Sequence, residues 1–187
     1  YIFTYDGSSW SQEAKIFPDV AIYEGRFGYE GLQLSPDGTK AIVGAYYSDN
    51  SSGSSAAGAA YVFTYDGSSW SQQALITPSD GDHHDYFGRS VSMNSNGTKV
   101  AVGAYGVDNV PYYQTGCVYI YTYDGSTWGS EQILQASDKQ TNDYLGWSVS
   151  MSGDGNKFIV GAKGEDTGGA EAGAAYIFTY SSGSWDT

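Results

Sequence analysis

Short apolar runs alternate with turn residues along the whole chain, and the middle of the chain shows this pattern most clearly. Four β-prone segments follow one another there: GRSVSM, KVAVGA, CVYIYTY and the stretch from Trp128 to Leu134. Each run is bounded by Gly, Asn, Asp or Ser, the residues that favour turns. The pattern therefore predicts four consecutive strands.

The predicted four-strand unit recurs at a nearly constant spacing. The segment YIFTYDGSSW at Tyr1 returns as YVFTYDGSSW at Tyr61, YIYTYDGSTW at Tyr119 and YIFTYSSGSW at Tyr176, which gives steps of 60, 58 and 57 residues. A second anchor keeps the same spacing: Phe27-Gly28, Phe87-Gly88 and Leu145-Gly146. Repeats of this length are typical of propellers and other repeat architectures.

Two-residue turn signals join the predicted strands within each repeat. The first and second strands are separated by Asp37-Gly38, Asn96-Gly97 and Asp154-Gly155. The third and fourth strands are separated by Asp6-Gly7, Asp66-Gly67 and Asp124-Gly125. Because glycine accepts a positive φ, we expect type I′ hairpins at these turns. The last repeat has Ser181-Ser182-Gly183 instead, and we expect a different turn there.

The apolar pattern indicates sheets that are covered on both faces. KAIVGA, KVAVGA and KFIVGA are apolar on both alternating faces, and a four-stranded meander buries both faces when sheets stack around an axis. The predicted fold is all-β: four-stranded antiparallel meanders in tandem, the blades of a β-propeller, about three blades plus part of a fourth. We expect the second half of a preceding blade at 1–26 and blades at 27–86, 87–144 and 145–187, the last with an incomplete final strand.

Recurrent aromatic residues are candidates for packing between blades. A tryptophan begins each predicted fourth strand, and a phenylalanine precedes the first strand in two repeats; these residues are Trp10, Trp70, Trp128, Trp185, Phe27 and Phe87. Large aromatic side chains contribute much buried area, and their rings also stack on sugars. We expect packing between blades, with sugar stacking as the alternative for the tryptophans.

Composition and charge narrow the classes of partner. The 26 glycines and 18 tyrosines fit an all-β chain, and 21 acidic against 8 basic residues give a net charge of −13. This charge disfavours nucleic acid and anionic lipid but permits cations. The single Cys117 is expected to be a small buried residue. No run approaches the roughly 18 apolar residues of a membrane span, so membrane insertion is not expected, and the first residue, Tyr1, indicates a mature product or an excerpt.

The chain resembles the FG-GAP repeat family along essentially its whole length. Phe-Gly opens the first strand, and Gly-Ala closes the second at Gly44-Ala45, Gly103-Ala104 and Gly161-Ala162. The resemblance implies the β-propeller of integrin α-subunit heads and of many secreted or surface proteins, and thus an extracellular or cell-surface location. Tyr46, Tyr105 and Lys163 replace the proline of the motif.

Calcium binding does not follow directly from this resemblance. The family's calcium loops have a DxDxDG-like pattern, whereas LSPDGTK, MNSNGTK and MSGDGNK stand here. Asp37, Asn96 and Asp154 are therefore interpreted as hairpin residues. No cofactor is required, and Ca²⁺ is the candidate ion.

The long loops carry many acids and are predicted to make one face of the molecule acidic. Asp49, Asp108 and Asp166 recur at one position, and other acids stand nearby: Asp80, Asp82, Asp85, Asp138 and Asp143. Carboxylates from neighbouring blades could converge on a cation, which makes the three recurrent acids candidate Ca²⁺ ligands. The favoured alternative is that each acid closes its own loop as an Asx turn. His83 and His84 are interpreted as loop residues.

Two sequons are candidate glycosylation sites, at Asn50 in a long loop and at Asn96 in a hairpin turn. Asn50 is expected to be the more accessible.

The sequence contains no recognisable catalytic constellation, so we expect a protein that is not an enzyme. The regular repeats favour an extracellular structural or adhesive protein, its blades belonging to a surface fibre, matrix or adhesion assembly. Other copies of the chain or further blades of a longer chain are the expected partners, with glycans or surface proteins as further candidates. The alternative is a lectin-like, ligand-binding propeller.

Overall fold

The computed structural model describes residues 1–20 and 24–186, which form fourteen β-strands and no helix. The first hairpin contains β1 and β2: Ile2–Tyr5 and Trp10–Ala14. Blade 1 contains β3 to β6: Leu32–Leu34, Lys40–Ala45, Ala59–Tyr65 and Trp70–Ile76. Blade 2 contains β7 to β10: Ser90–Met93, Lys99–Ala104, Cys117–Tyr123 and Trp128–Leu134. Blade 3 contains β11 to β14: Leu145–Met151, Lys157–Ala162, Ala174–Ser181 and Ser184–Asp186.

Each blade is an antiparallel meander in which every strand pairs with its sequence neighbour. The central pair has the same register in all three blades, since Ile42 lies opposite Val62, Ala101 opposite Ile120 and Ile159 opposite Ile177. The all-β fold with four-stranded sheets in tandem is confirmed. Among the described residues, the array is not closed into a ring.

The hydrophobic core lies between the sheets. One cluster joins Ile42 and Val62 of blade 1 to Val91 and Met93 of blade 2. A second cluster joins blade 2 to blade 3 in the same way, and a third joins blade 1 to the segment that follows the first hairpin. Stacking therefore buries both faces of the inner sheets, as the apolar pattern predicts.

Burial of the second strand depends on the position of its blade. Strands β4 and β8 are buried on both faces after their first lysine, whereas β12 alternates between buried and exposed positions. The three sequences are equally apolar, so the difference arises because no sheet of the described chain covers the outer face of blade 3.

The prediction of type I′ turns at the Asp-Gly and Asn-Gly positions is wrong. In the first kind of hairpin, Gly38 donates to the carbonyl of Ser35, and only the glycine has a positive φ. In the second kind the central residues are Gly7 and Ser8, again with a positive φ at the glycine alone, the pattern of a type II′ turn. The equivalent turns of the other repeats share these features. The aspartates keep ordinary backbone angles because their carboxylates accept the next amide groups, as Asp6 does from Ser8 and Ser9.

The turn in the last repeat differs, as expected. Ser182 and Gly183 lie between the paired Ser181 and Ser184, and both have a positive φ, of 52° and 91°. The type I′ pattern thus occurs where the aspartate is missing. Within the described ranges, the structure has no helix long and apolar enough to span a bilayer.

Candidate functional site at the blade joints

Consecutive blades are joined by a short parallel pairing of backbone. The segment before β7 runs alongside the segment before β5, and Phe87 forms a parallel bridge with Gly58. The amides of Tyr86 and Phe87 donate to the carbonyls of Ala56 and Ala57, both at 3.0 Å. Leu145 and Gly116 form the same bridge between blades 2 and 3. We call this pairing the Phe-Gly joint.

The Phe-Gly joint requires glycine because two backbones approach closely. A Cβ placed on Gly44 would lie 1.9 Å from the carbonyl oxygen of Gly88, and one on Gly103 would lie 2.1 Å from that of Gly146. A Cβ on Gly58 would similarly meet Phe87 O at 2.0 Å. Only glycine avoids these overlaps. The recurring Phe-Gly and Gly-Ala pairs are therefore the two halves of one joint.

A tryptophan side chain makes the same hydrogen bond to the preceding sheet in each of the three blades. The indole Nε1 of Trp70 donates to Glu13 at 2.8 Å, and that of Trp128 donates to Gln73 at 3.2 Å. Each acceptor lies on the last strand of the preceding sheet, which is β2 for Glu13 and β6 for Gln73. Trp185 donates likewise to Gln132 at 2.8 Å. The structure thus places three of the four predicted tryptophans in contact between sheets, whereas Trp10 is 69% exposed.

The two predicted phenylalanines occupy equivalent positions with different burial. Phe87 is fully buried and packs edge-on against Tyr119 at a centroid distance of 5.2 Å. Phe27 packs against Tyr61 at 5.6 Å but is only half-buried. Phe87 has a complete blade before it, and Phe27 has only the first hairpin.

One half of the joint stands open beside the first hairpin. Glu24, Arg26 and Gly28 have φ values of 51°, 53° and 71°, which repeat the left-handed positions of His84, Tyr86 and Gly88 in the occupied joint. Such angles cost about 1 kcal/mol or more at residues other than glycine. The backbone of the Phe-Gly half is thus already in its docking conformation.

An apolar cleft of about 440 Å³ lies next to this open half, and Phe27, Leu32 and Leu34 are among its lining residues. Leu32 and Leu34 are 63% and 45% exposed, while the equivalent Val91 and Met93 in blade 2 are 7% and 2% exposed. The cleft is the place that a preceding blade covers elsewhere in the molecule.

The complementary half of the joint stands open on blade 3. A Cβ on Gly161 would meet only the Ser148 side chain within 3.8 Å, and Glu171 keeps the left-handed φ of 51° found at Ala56 and Gln114. Ile159 and Ile177 are 46% and 60% exposed. Their equivalents in blade 2, Ala101 and Ile120, are buried. Blade 3 therefore presents a preformed surface for another Phe-Gly segment.

A ladder of aromatic rings and cations crosses the joints on one face, and the sequence reasoning missed it. Tyr86 and Tyr105 stack at 4.8 Å, and Trp147 carries Arg89 and Lys163 over its ring at 4.3 and 4.2 Å. Further members of the ladder are Arg26, Tyr46, Tyr47 and Tyr144. Because Arg89 belongs to blade 2 and Trp147 to blade 3, the ladder ties neighbouring blades together. The sequence did contain one signal for this ladder, namely the residue after each Gly-Ala pair, because Tyr46, Tyr105 and Lys163 all belong to the ladder.

The structure does not bring the three candidate calcium ligands together. Asp49 accepts the amide of Ala56 at 3.0 Å, and Asp108 accepts that of Gln114 at 2.7 Å. Each carboxylate thus closes the loop of its own blade, and Asp166 is exposed. The residues that the structure describes contain no group of three or more acidic, His or Cys side chains placed to hold a metal ion.

Two of the acids that were predicted to lie on the acidic loop face are buried instead. Asp85 and Asp143 are 6% and 2% exposed. Asp85 accepts the amide of Asp82 at 2.7 Å, and Asp143 accepts that of Gln140 at 2.5 Å. Burial, with smaller contributions from neighbouring acids, raises the pKa of Asp85 to about 6 and raises that of Asp143. These acids therefore hold the connection between blades instead of contributing to the surface.

The sequons show the opposite order of accessibility to the expected one. Asn50 is half-buried, and its Nδ2 donates to Gly81 at 2.9 Å. Asn96 is exposed, and its Oδ1 accepts the Thr98 hydroxyl at 2.6 Å. The carboxamide of Asn50 thus ties two loops together, because its Oδ1 accepts the amides of Ser52 and Ser54 in its own loop and its Nδ2 reaches the loop between β6 and β7.

Cys117 lies in the core, and His83 makes a contact between two loops. Cys117 is a free and fully buried thiol, and burial raises its pKa. His83 accepts the Ser55 amide through Nδ1 at 2.9 Å, which ties two loops together.

Comparison with known proteins identifies the repeat. The profile described as FG-GAP repeat matches three consecutive segments, residues 10–63, 70–121 and 128–178, which together cover most of the chain. No curated protein matches the chain significantly.

Proposed function

The chain belongs to the FG-GAP repeat family, and from this premise we propose that it is an extracellular structural or adhesive repeat protein whose blades join other blades of the same kind. The repeats of this family occur in extracellular adhesion-type proteins. The proposed role requires neither a catalytic group nor a cofactor.

The observation that carries this proposal is the presence of both halves of the Phe-Gly joint in open form. Phe27-Gly28 on one side and Gly161-Ala162 on the other match, residue for residue, the pairs that meet inside the molecule. Exposed apolar residues surround both halves. Since a head-to-tail contact of this kind repeats from one unit to the next, it supports rings or longer arrays.

The proposal is tested by association of the chain in solution. Sedimentation velocity from low to high micromolar concentration is expected to show a reversible increase in size. Gly161→Ala is expected to abolish that increase because its methyl group occupies the place of the incoming glycine carbonyl, as the distance of 2.1 Å at the equivalent Gly103 indicates. Gly129→Ala is the control for a simple Gly-to-Ala change, because Gly129, like Gly161, has no positive φ and has no atom within 4 Å of its Cβ position. A chain that stays monomeric throughout would refute the proposal.

A further inference from the structure

The turn between β7 and β8 contains the only asparagine of the chain that is followed by glycine, Asn96-Gly97. Asn96 is exposed, and the equivalent positions in blades 1 and 3 carry aspartate, Asp37 and Asp154. An asparagine before glycine is prone to lose its amide nitrogen without an enzyme, because the following nitrogen has no Cβ beside it and reaches the asparagine Cγ easily. Asn96 is therefore a candidate for conversion to aspartate.

This reaction needs negative charge to be stabilised at two places. The Gly97 nitrogen loses its proton and attacks Cγ of Asn96, so charge lies first on the peptide group between these residues and then on Oδ1 of a tetrahedral intermediate. The intermediate expels Nδ2, which takes up a proton and leaves as ammonia, and a five-membered succinimide remains. Water opens this ring at Cγ to give aspartate, or at the backbone carbonyl to give isoaspartate. Water is consumed, ammonia is released and no oxidant is needed.

A lysine of the preceding blade lies against the peptide group that becomes anionic. Lys40 Nζ donates to the carbonyl oxygen of Asn96 at 3.2 Å and to that of Gly97 at 3.0 Å. The Asn96 carbonyl belongs to the same peptide group as the Gly97 nitrogen, so an ammonium on this oxygen stabilises the deprotonated nitrogen. The approach depends on glycine, since a Cβ on Gly97 would lie 2.4 Å from Lys40 Cδ.

Two further donors lie at the oxygen that carries the charge of the intermediate. The amide of Thr98 donates to Asn96 Oδ1 at 3.2 Å, and its hydroxyl donates to the same oxygen at 2.6 Å. Donors placed in advance at a developing oxyanion strongly accelerate reactions of carbonyl groups. One contact opposes the reaction, because the Gly97 amide donates to the carbonyl of Asn94 at 3.0 Å and gives up this bond before it attacks.

The aspartate product fits the place of the asparagine. In blades 1 and 3 the aspartate at this position accepts the amide of the residue two positions later, at 3.1 Å for Asp37 and 3.0 Å for Asp154. Asn96 makes the same bond through Oδ1. Aspartate keeps this bond and adds a negative charge beside the Lys40 ammonium, at the contact between blades 1 and 2. Isoaspartate lengthens the backbone by one carbon and does not fit the turn.

We propose that Asn96 is a site of spontaneous deamidation, in which Lys40 stabilises the attacking Gly97 nitrogen and Thr98 stabilises the oxygen of the intermediate. The structure distinguishes this asparagine from the others. Asn156 is also exposed, but a lysine follows it. The inference is independent of the association proposed above.

Ageing of the purified chain in a slightly alkaline buffer tests the site. The chain is produced in a host without N-glycosylation, because a glycan on Nδ2 would block the reaction. Peptide mapping by tandem mass spectrometry measures the conversion of each asparagine over time. Asn96 is expected to convert more than about tenfold faster than Asn156, the exposed comparison within the same molecule. A rate at Asn96 no higher than that at Asn156 would overturn the proposal.

Substitution of the lysine separates chemical assistance from simple restraint of the turn. Lys40→Met is expected to slow the conversion of Asn96 about tenfold, the effect of removing one charge-assisted hydrogen bond from a developing charge. Lys40→Arg keeps the charge and is expected to keep the rate. Lys99→Met removes the equivalent contact, to Gly155 O at 2.8 Å in the next joint, and is expected to leave the rate at Asn96 unchanged. An unchanged or faster conversion in Lys40→Met would overturn the role assigned to the lysine.

The hydroxyl of Thr98 has a test of its own. Thr98→Ser keeps the hydroxyl and is expected to keep the rate, whereas Thr98→Ala is expected to slow the conversion by about tenfold or more. The Tm of each variant shows whether the fold is retained. Equal rates in the alanine and serine variants would overturn the role of the hydroxyl.

Discussion

The glycines of the Phe-Gly joint permit a prediction in which the same substitution has very different effects at two equivalent positions. Gly103 lies in an occupied joint, where an added Cβ would be 2.1 Å from Gly146 O and 2.4 Å from Ser90 Oγ. Gly161 lies in the open joint, where the nearest atom would be Ser148 Oγ at 2.5 Å. Ser148 is exposed and can rotate, whereas the carbonyl of Gly146 is part of the joint itself.

The expected magnitudes follow from these surroundings. Overpacking of a close-packed site costs about 1 to 3 kcal/mol. Gly103→Ala is expected near the upper end, about 3 kcal/mol, because the shift of Gly146 also disturbs the fully buried Leu145 beside it. Gly161→Ala is expected to change the free energy of unfolding by no more than about 0.5 kcal/mol, as at most surface sites. At about 2 to 4 °C per kcal/mol for a chain of this size, the Tm values of the two variants then differ by roughly 5 to 12 °C.

Thermal and urea unfolding followed by tryptophan fluorescence measure this difference, at a concentration where the chain is monomeric. Gly125→Ala, at a hairpin glycine with a φ of 104° and no atom near its Cβ position, separates backbone strain from steric overlap. If Gly103→Ala and Gly161→Ala had the same small effect, close backbone approach would not explain the recurring glycine, and the reasoning on the joint would be refuted.

Three further predictions concern single side chains. Burial raises the pKa of Asp85 from 3.8 to about 6, so the folded chain binds this proton more tightly than the unfolded chain, and the free energy of unfolding falls as pH rises between those values. Asp85→Asn is expected to remove this pH dependence and to stabilise the chain at pH 7 by about 1 to 3 kcal/mol. The measurement is the unfolding free energy of the variant and of the parent across pH. Trp128→Phe deletes the bond to Gln73 and is expected to cost about 1 kcal/mol in urea unfolding, while Trp10→Phe changes little. The thiol of Cys117 is expected to react with a thiol reagent only as fast as the chain opens, so prompt labelling of the native chain would contradict its burial.

Much of the fold could be predicted because its signals are local. Strands such as Lys99–Ala104 and Trp128–Leu134 have the bounds that the apolar pattern predicts, since β-propensity and flanking turn residues act over a few positions. The constant spacing of the repeats indicated that these units stack. The Phe-Gly and Gly-Ala pairs were visible as motifs, although the sequence did not show that they meet one another.

Other features depend on neighbours that are distant along the chain. The partner of Trp128 is Gln73, 55 residues away, and Arg89 meets Trp147 only because two blades are adjacent. The buried Asp85 and Asp143 have the same composition around them as the acids that stay exposed. The turn type was also not predicted correctly. The aspartate carboxylate accepts the next amides, as Asp66 does from Ser68 and Ser69, and this holds the aspartate away from the positive φ that Asp-Gly adopts in a type I′ turn.

The repeat, the all-β class and the positions of the strands follow from the order of residues, because a strand needs only its own alternation and its own turns. Which faces are buried follows from the stacking of whole blades. KFIVGA and KVAVGA are equally apolar, yet Ile159 is 46% exposed and Ala101 is buried, since burial depends on whether a neighbouring sheet is present. The open halves of the joint at Phe27-Gly28 and Gly161-Ala162 became recognisable only after the occupied joints had shown what fits them.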